Sequence, residues 1–377
     1  MQIHSQGGNL SPSAPVECVN VGIFGGPGGR ASRLSRAIAS AAASREPCFR
    51  NAEAGIKFLS CTTSARQYPL MVFPGAPRVF QRAFTVMQSC DAAVISTSCG
   101  KSVESGVLER LAWARAAGVP RVIVCLWTKP NEYEPFVPDP ALLQTAERLG
   151  YTKSTLDILA GGLPGWLGRA KARETGGALL ARMDDFFQPR AQDVDAPFLM
   201  PVDDIFVIRG KGTILTGRVS HGSVAPGDEL ELVGFGEVRQ TTVEQIETLG
   251  GTTERARPGD HVGLMVRDIR GESCERGMIL AAPKTITPKR SAETSLLILR
   301  PEEGGCPSLL SSTSSLQFFA HTVETRVSIH ADSAGSDWQG DTRAKALLDF
   351  AKDVPIKRGT GFLIRCRRTT VAVGTTA

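Results

Sequence analysis

At 377 residues, with 42% apolar and 21% charged side chains, the chain is long enough for two or three folded domains and too apolar for a disordered polyelectrolyte. Its 43 basic residues against 38 acidic ones leave a formal charge of +5, which permits an acidic partner such as RNA without requiring one. No apolar run approaches the roughly 20 residues of a membrane span, and neither the nine scattered cysteines nor the five histidines have the spacing of a disulfide framework or a structural metal site.

Residues 1–18, MQIHSQGGNLSPSAPVEC, hold no lysine or arginine and no apolar core, so they read as a loose tail rather than a targeting peptide. The unpaired thiols point to a cytoplasmic protein. From 19 to 190 short apolar runs alternate with longer amphipathic ones. VNVGIF, PLMVF, AAVIST and RVIVCLW are expected strands, and SRLSRAIASAAAS, RVFQRAFTVMQS and VESGVLERLAWARAAG expected helices. Strand and helix in alternation predict a parallel sheet covered by helices on both faces, with ligands at the carboxyl ends of its strands. Between VNVGIF and the first helix stands GGPGGRAS, Gly25 to Ser32, the layout of a phosphate-binding loop.

After FFQPRAQDVDAPF the texture changes to short strands punctuated by Gly, Pro and Asp, which predicts all-β barrels or sandwiches. A further boundary is expected near 288, where APKTITPKRSAE sets two prolines among polar residues.

DAPFLMPVDDIFVIRGKGTILTGRVSHGSVAPGDELELVG, Asp195 to Gly234, closely resembles the start of the second domain of elongation factor Tu. The resemblance continues through RPGDHVGLMV, ERGMILAAP, EEGG at 302–305 and RGTGFLIRCRRTTVAVG, and VNVGIFG, FPGA and AAGVPRVIVCLWTKPN fit the same family in order. It implies a nucleotide-binding (G) domain of the α/β phosphate-loop type at 19–190, then two all-β barrel domains at 195–287 and 288–377. It also implies GTP and Mg²⁺ as cofactors, and aminoacyl-tRNA, the ribosome and a nucleotide-exchange factor as partners of a monomer.

The family's nucleotide motifs are altered here. Gly25, Gly28, Gly29 and Ser32 match the phosphate loop, but Arg30 and Ala31 replace its Gly-Lys pair, a loss of about 1.5 to 3 kcal/mol for one charge-assisted contact. Arg30 either substitutes its guanidinium for the missing ammonium or lies on the surface. In VFPGA, Val72 stands for the Mg²⁺-binding aspartate and Ala76 for the catalytic histidine, and Gly75 alone is retained. Gly55-Ile56-Lys57 carries lysine in place of the Mg²⁺-binding threonine, so a weak contact at Ser32 is the metal interaction that remains. The base-reading motif becomes Thr128-Lys129-Pro130-Asn131, where Asn131 presents a donor to guanine's donors. GTP hydrolysis is therefore expected to be weak or absent, and no residue is assigned as catalytic.

The family's pocket for the aminoacylated 3′ end of tRNA maps to Asp203, Asp204, Phe206, Thr216, Glu247, His261 and Arg276, with His261 in place of asparagine. Phe206 and Thr216 fit either that pocket or a barrel interior. In the third domain, GGCPSLLSSTSSLQFFAH, Gly304 to His321, lacks the family's phosphate-contacting basic residues. Lys357, Arg358, Arg365, Arg367 and Arg368 follow later, either for RNA or as a charged strand face. Two functions stay open: a carrier-type translation factor, or a non-catalytic module that binds or regulates the translation apparatus.

Overall fold

The computed structural model describes residues 17–25, 30–42, 44–45, 49–51, 56–73, 80–98, 105–128, 139–162, 168–190, 193–208, 212–248, 251–310, 315–331 and 343–377. The first part contains β1 (Glu17–Cys18), β2 (Val21–Gly25), α1 (Arg30–Ala41), β3 (Ser44–Arg45), β4 (Phe49–Asn51), β5 (Ile56–Thr62) and β6 (Arg66–Phe73). It continues with α2 (Phe80–Gln88), β7 (Ala92–Ser98), α3 (Ser105–Ala116), β8 (Arg121–Thr128), α4 (Pro140–Arg148), β9 (Leu156–Gly162) and α5 (Gly168–Phe186). The strands form one nine-stranded sheet in the order β3-β5-β6-β2-β7-β8-β9, with β1 paired to β6 and β4 to β5. From β6 to β9 the pairs are parallel, as the alternating pattern predicts, and β5 adds antiparallel to β6.

Because β2 is buried at every residue, its apolar side chains feed two cores. On one face Val21 and Ile23 join Leu34 and Ile38 of α1 and Leu179, Leu180 and Met183 of α5. On the other face Phe24 joins Phe84 and Met87 of α2 and Val107, Leu108 and Leu111 of α3. This second core does not end at the α/β layer. It runs on into Leu297, Leu299, Phe319, Leu363 and Val373 of the last part of the chain.

The middle part contains β10 (Leu199–Pro201), β11 (Asp204–Ile208), β12 (Gly212–Arg218), β13 (Glu229–Gly234), β14 (Glu237–Thr248), β15 (Gly251–Thr253), β16 (His261–Val266) and β17 (Ile279–Ala281). The last contains β18 (Lys289–Ile298), β19 (Leu316–Ala320), β20 (Val323–Ala331), β21 (Arg343–Val354), β22 (Gly361–Cys366) and β23 (Thr369–Thr376). β18-β21-β20-β19-β22-β23 closes into a six-stranded barrel. The middle part is an eight-stranded sheet with the path β10-β17-β13-β14-β16-β12-β11, and β15 pairs with β14; of the two expected barrels, closure is seen among the described residues in the last part. Long β14 serves both halves, pairing with β13 as far as Thr242 and with β16 from Val243 on, with a bulge between Val243 and Gln245. β11 pairs with β12 alone, which leaves its side chains at the edge and in solvent.

The α/β part and the barrel meet along a seam of buried polar contacts. The Arg365 guanidinium lies 3.7 Å from the ring centre of Phe80 and 5.4 Å from that of Trp113, with Glu109 3.9 Å away. Glu109 also accepts hydrogen bonds from Thr370 N at 3.1 Å and Thr370 Oγ1 at 2.6 Å, and Trp113 Nε1 donates to the same hydroxyl at 2.8 Å. A second clasp centres on Glu303, 2% exposed, which accepts from Thr145 at 3.1 Å and pairs with Arg148 of α4. Arg365 is thus neither an RNA contact nor part of a solvated face: at 6% exposure it belongs to the seam, and burial lowers its pKa to about 10 against the pull of Glu109.

Candidate functional site

At the carboxyl end of β2 the chain turns towards α1, and the two elements nearly touch. A Cβ on Gly25 would lie 2.5 Å from Ala31 N and 2.8 Å from Ala31 Cβ, so glycine is required by the close approach. Ala31, where the resemblance expects lysine, is 3% exposed and packs into the α1 core. Arg30 opens the helix and is partly exposed. Ser32 lies in the first turn, and its carbonyl accepts from Ser35 Oγ at 3.2 Å and Arg36 Nε at 3.1 Å.

The Ser32 hydroxyl has a partner from across the sheet. Lys57, near the start of β5, donates from Nζ to Ser32 Oγ at 3.2 Å. The antiparallel register sets Lys57 opposite Val72, which is 3% exposed in the apolar core that also contains Ala31. Thus three positions that the resemblance assigns to metal ligands, Ser32, Lys57 and Val72, are neighbours. Their chemistry does not suit Mg²⁺: a divalent cation needs about six oxygen ligands, and this set offers one hydroxyl, an ammonium already bound to it and a buried isopropyl group. Lys57 places a fixed positive charge beside Ser32 Oγ, so bringing a second cation there is opposed by repulsion. Gly28, Gly29, Gly55, Gly75, Ala76, Lys129 and Asn131 lie outside the described residues, and Thr128 is described as the last residue of β8 without its side chain.

The second group of residues is gathered by the register of four strands. Asp204 of β11 stands opposite Thr216 of β12, Thr216 opposite Gly263 of β16, and Gly263 opposite Glu247 of β14. Phe206 follows Asp204 by two positions and shares its face, opposite Ile214. Asp203 N donates to Thr216 O at 2.7 Å, and Thr216 Oγ1 donates to Asp204 O at 3.2 Å. His261 Nε2 approaches Asp203 Oδ2 at 3.5 Å. Gly263 leaves a notch in this face, because a Cβ there would stand 3.0 Å from Ile214 Cγ2, 3.6 Å from Thr216 Cγ2 and 3.9 Å from Glu247 Cβ. Six of the seven predicted positions therefore share one strand-built surface.

Phe206 is 54% exposed and Val207 65%, so β11 is no barrel interior but an aromatic and aliphatic edge in solvent. A flat apolar face next to carboxylates and a hydroxyl can stack a base and bond a ribose. Arg276, the seventh position, is engaged elsewhere: its Nη2 donates to Thr85 Oγ1 of α2 at 3.0 Å. There it ties the middle sheet to the α/β part, as does Arg218, which pairs with Asp91 at 3.3 Å and bonds Ser89 O.

Residues that sequence reasoning did not single out are Glu109, Thr370, Phe80, Trp113 and Glu303, the seam. A signal was present in RGTGFLIRCRR: an arginine inside an apolar strand pattern needs an internal partner. Among the described residues no helix is long and apolar enough to cross a membrane, and no group of three or more His, Cys, Asp or Glu could hold a metal. The seven described cysteines are free.

Residues 212–281 match the protein family described as elongation factor Tu domain 2. In fold, the chain is similar to the crystal structure of translation elongation factor SelB from Methanococcus maripaludis in complex with the GTP analogue GppNHp. The TM-score is 0.67 at 16% identity, covering 97% of this chain and 80% of that one. The matched family segment begins at β12 and ends at β17, and it contains Thr216, Glu247, His261, Gly263 and Arg276.

Proposed function

We propose that this chain is a cytoplasmic translation factor of the elongation factor Tu type, with a G domain at 19–190, a second domain at 195–287 and a third at 288–377, that works without hydrolysing GTP. The second domain takes the 3′ end of aminoacyl-tRNA on the face of Asp203, Asp204, Phe206, Thr216, Glu247 and His261, and the ribosome is the wider partner. The observation that carries the non-hydrolytic reading is the Lys57 ammonium on Ser32 Oγ at 3.2 Å, with buried Val72 beside it. A chain that occupies its own metal position has no place for the cation that phosphoryl transfer requires. Family membership of residues 212–281 and the exposed Phe206 support the tRNA reading.

A second reading is favoured by the seam. Arg365, Glu109, Glu303 and Trp113 hold the α/β part against the barrel through buried polar contacts that involve no nucleotide. That arrangement suits a rigid, non-catalytic module that binds or regulates the translation apparatus. Filter-binding titration of aminoacyl-tRNA against deacylated tRNA, with and without GTP, separates the two. The first reading expects preference for the acylated form at unchanged affinity with and without GTP, whereas absence of binding in every condition overturns it and leaves the module.

A further inference from the structure

Where the three parts meet, they enclose a cavity of about 480 Å³ that neither candidate site uses. Its wall includes Arg115 from the end of α3, Arg190 after α5, Arg343 from the start of β21 and Lys357 before β22. His221 and His321 also line it, and Asp193 supplies the single carboxylate of the lining. Among the described residues none of the four cations has a carboxylate within ion-pair distance.

The three guanidiniums each make a contact with a group that is not a carboxylate. Arg115 lies over the Tyr151 ring at 5.9 Å, Arg343 Nη2 reaches Arg148 O at 3.4 Å, and Arg190 Nη2 donates to Gly118 O. Each guanidinium has five N–H donors, so most of them remain available. Arg115 and Arg343 also converge: their Nη2 atoms lie 3.3 Å and 3.6 Å from the place a Cβ would take on Gly150. Like charges gathered in a partly enclosed space repel one another more than in bulk water. Burial lowers the pKa of Arg190 and, against the pull of Asp193, that of Lys357. An anion in the cavity would offset this repulsion by its attraction to each cation.

We propose that this cavity binds a small polyphosphate group, carried either by a nucleotide or by free inorganic polyphosphate, and that the bound anion clamps the three parts together. One phosphate pairs bidentately with one or two guanidiniums. Four cations from four separate segments therefore match a ligand with two or more phosphates, and the volume falls within the roughly 300–1,000 Å³ of small-molecule pockets. The proposal is independent of the reading of the Ser32 region and of tRNA binding.

The test is calorimetric titration of the full chain with inorganic tripolyphosphate at fixed ionic strength, with orthophosphate and GTP as parallel arms. Tripolyphosphate is expected to bind one to one and at least tenfold more tightly than orthophosphate. Arg343→Gln and Lys357→Gln should each weaken it about tenfold, the loss of one charge-assisted contact, and Lys57→Met should leave it unchanged. Both cavity residues are exposed, so either variant carries the test if the other fails to fold. GTP binding more tightly than tripolyphosphate, and lost with Arg343→Gln, would identify the carrier as a nucleotide. Absence of binding, or binding insensitive to both cavity variants, overturns the proposal. Loss of binding with Lys57→Met alone also overturns it, since the anion then sits at α1.

Discussion

Two regions of the α/β part each hold a cation delivered by a strand, and they use it differently. At the loop end, Lys57 of β5 meets one hydroxyl, Ser32 Oγ, and stays half-exposed. At the seam, Arg365 of β22 is sandwiched against Phe80, faces Glu109 and is 6% exposed. The seam is an interdependent network: removing any one of its groups strands the others in a water-poor interface. The loop end is under-determined, because Lys57 and Val72 fill space and charge without building a network. The difference teaches that the three-part architecture rests on its own side chains, and that the altered loop end costs the fold little.

The strongest way to break this comparison is Arg365→Ala. It removes the cation–π contact and leaves Glu109 facing only Thr370 in the interface, with an expected loss of about 3 kcal/mol. Chemical denaturation followed by tryptophan fluorescence reads it directly, because Trp113 is in the same cluster. A loss below about 1 kcal/mol would place Arg365 among ordinary surface charges. Next in size is Phe206→Ala. Affinity for the acylated 3′ end should fall about tenfold, the equivalent of one stacked base, with no change in thermal stability because the ring is 54% exposed. Unaltered affinity would separate β11 from the binding face.

The smallest effect is expected at the loop end. Lys57→Met keeps the stem and deletes the ammonium, and unfolding should shift by less than about 1 kcal/mol, the range of a half-exposed polar contact. A larger loss would show that the loop end is a network after all.

The sequence made the first sheet legible because its strands are continuous apolar runs and its first two helices are amphipathic: VNVGIF, PLMVF, AAVIST and RVIVCLW lie within β1–β9 and the loops beside them, and RVFQRAFTVMQS contains α2. Helix α5 was obscured by Gly176 and Gly177 within GRAKARETGGALLARMDDF, residues of low helix propensity that tertiary packing overrides. The closed barrel of the last part follows from strand spacing. The strand order of the middle sheet does not, because which edges meet depends on pairings between strands far apart in the chain. At the candidate site, Ala31, Lys57 and Val72 are legible one by one as departures from the motifs that the sequence resembles. That Lys57 reaches Ser32 needed the β5–β6 register, which joins positions far apart in the chain. Arg365 was misplaced for a related reason: a run of basic letters is alike whether it faces solvent or a neighbouring domain, and only Phe80 and Glu109 distinguish the two.

The central claim is that this architecture stands without the chemistry of Mg²⁺ and GTP. Thermal unfolding of the full chain, alone and with Mg²⁺ plus GTP or ATP, tests it most directly. A ligand that binds the folded state at 100 times its dissociation constant adds about 2.7 kcal/mol, which a melting curve resolves. The account predicts no difference between Mg²⁺-GTP and GTP with a chelator; a rise of several degrees that requires Mg²⁺ and is given by GTP and not ATP would contradict it.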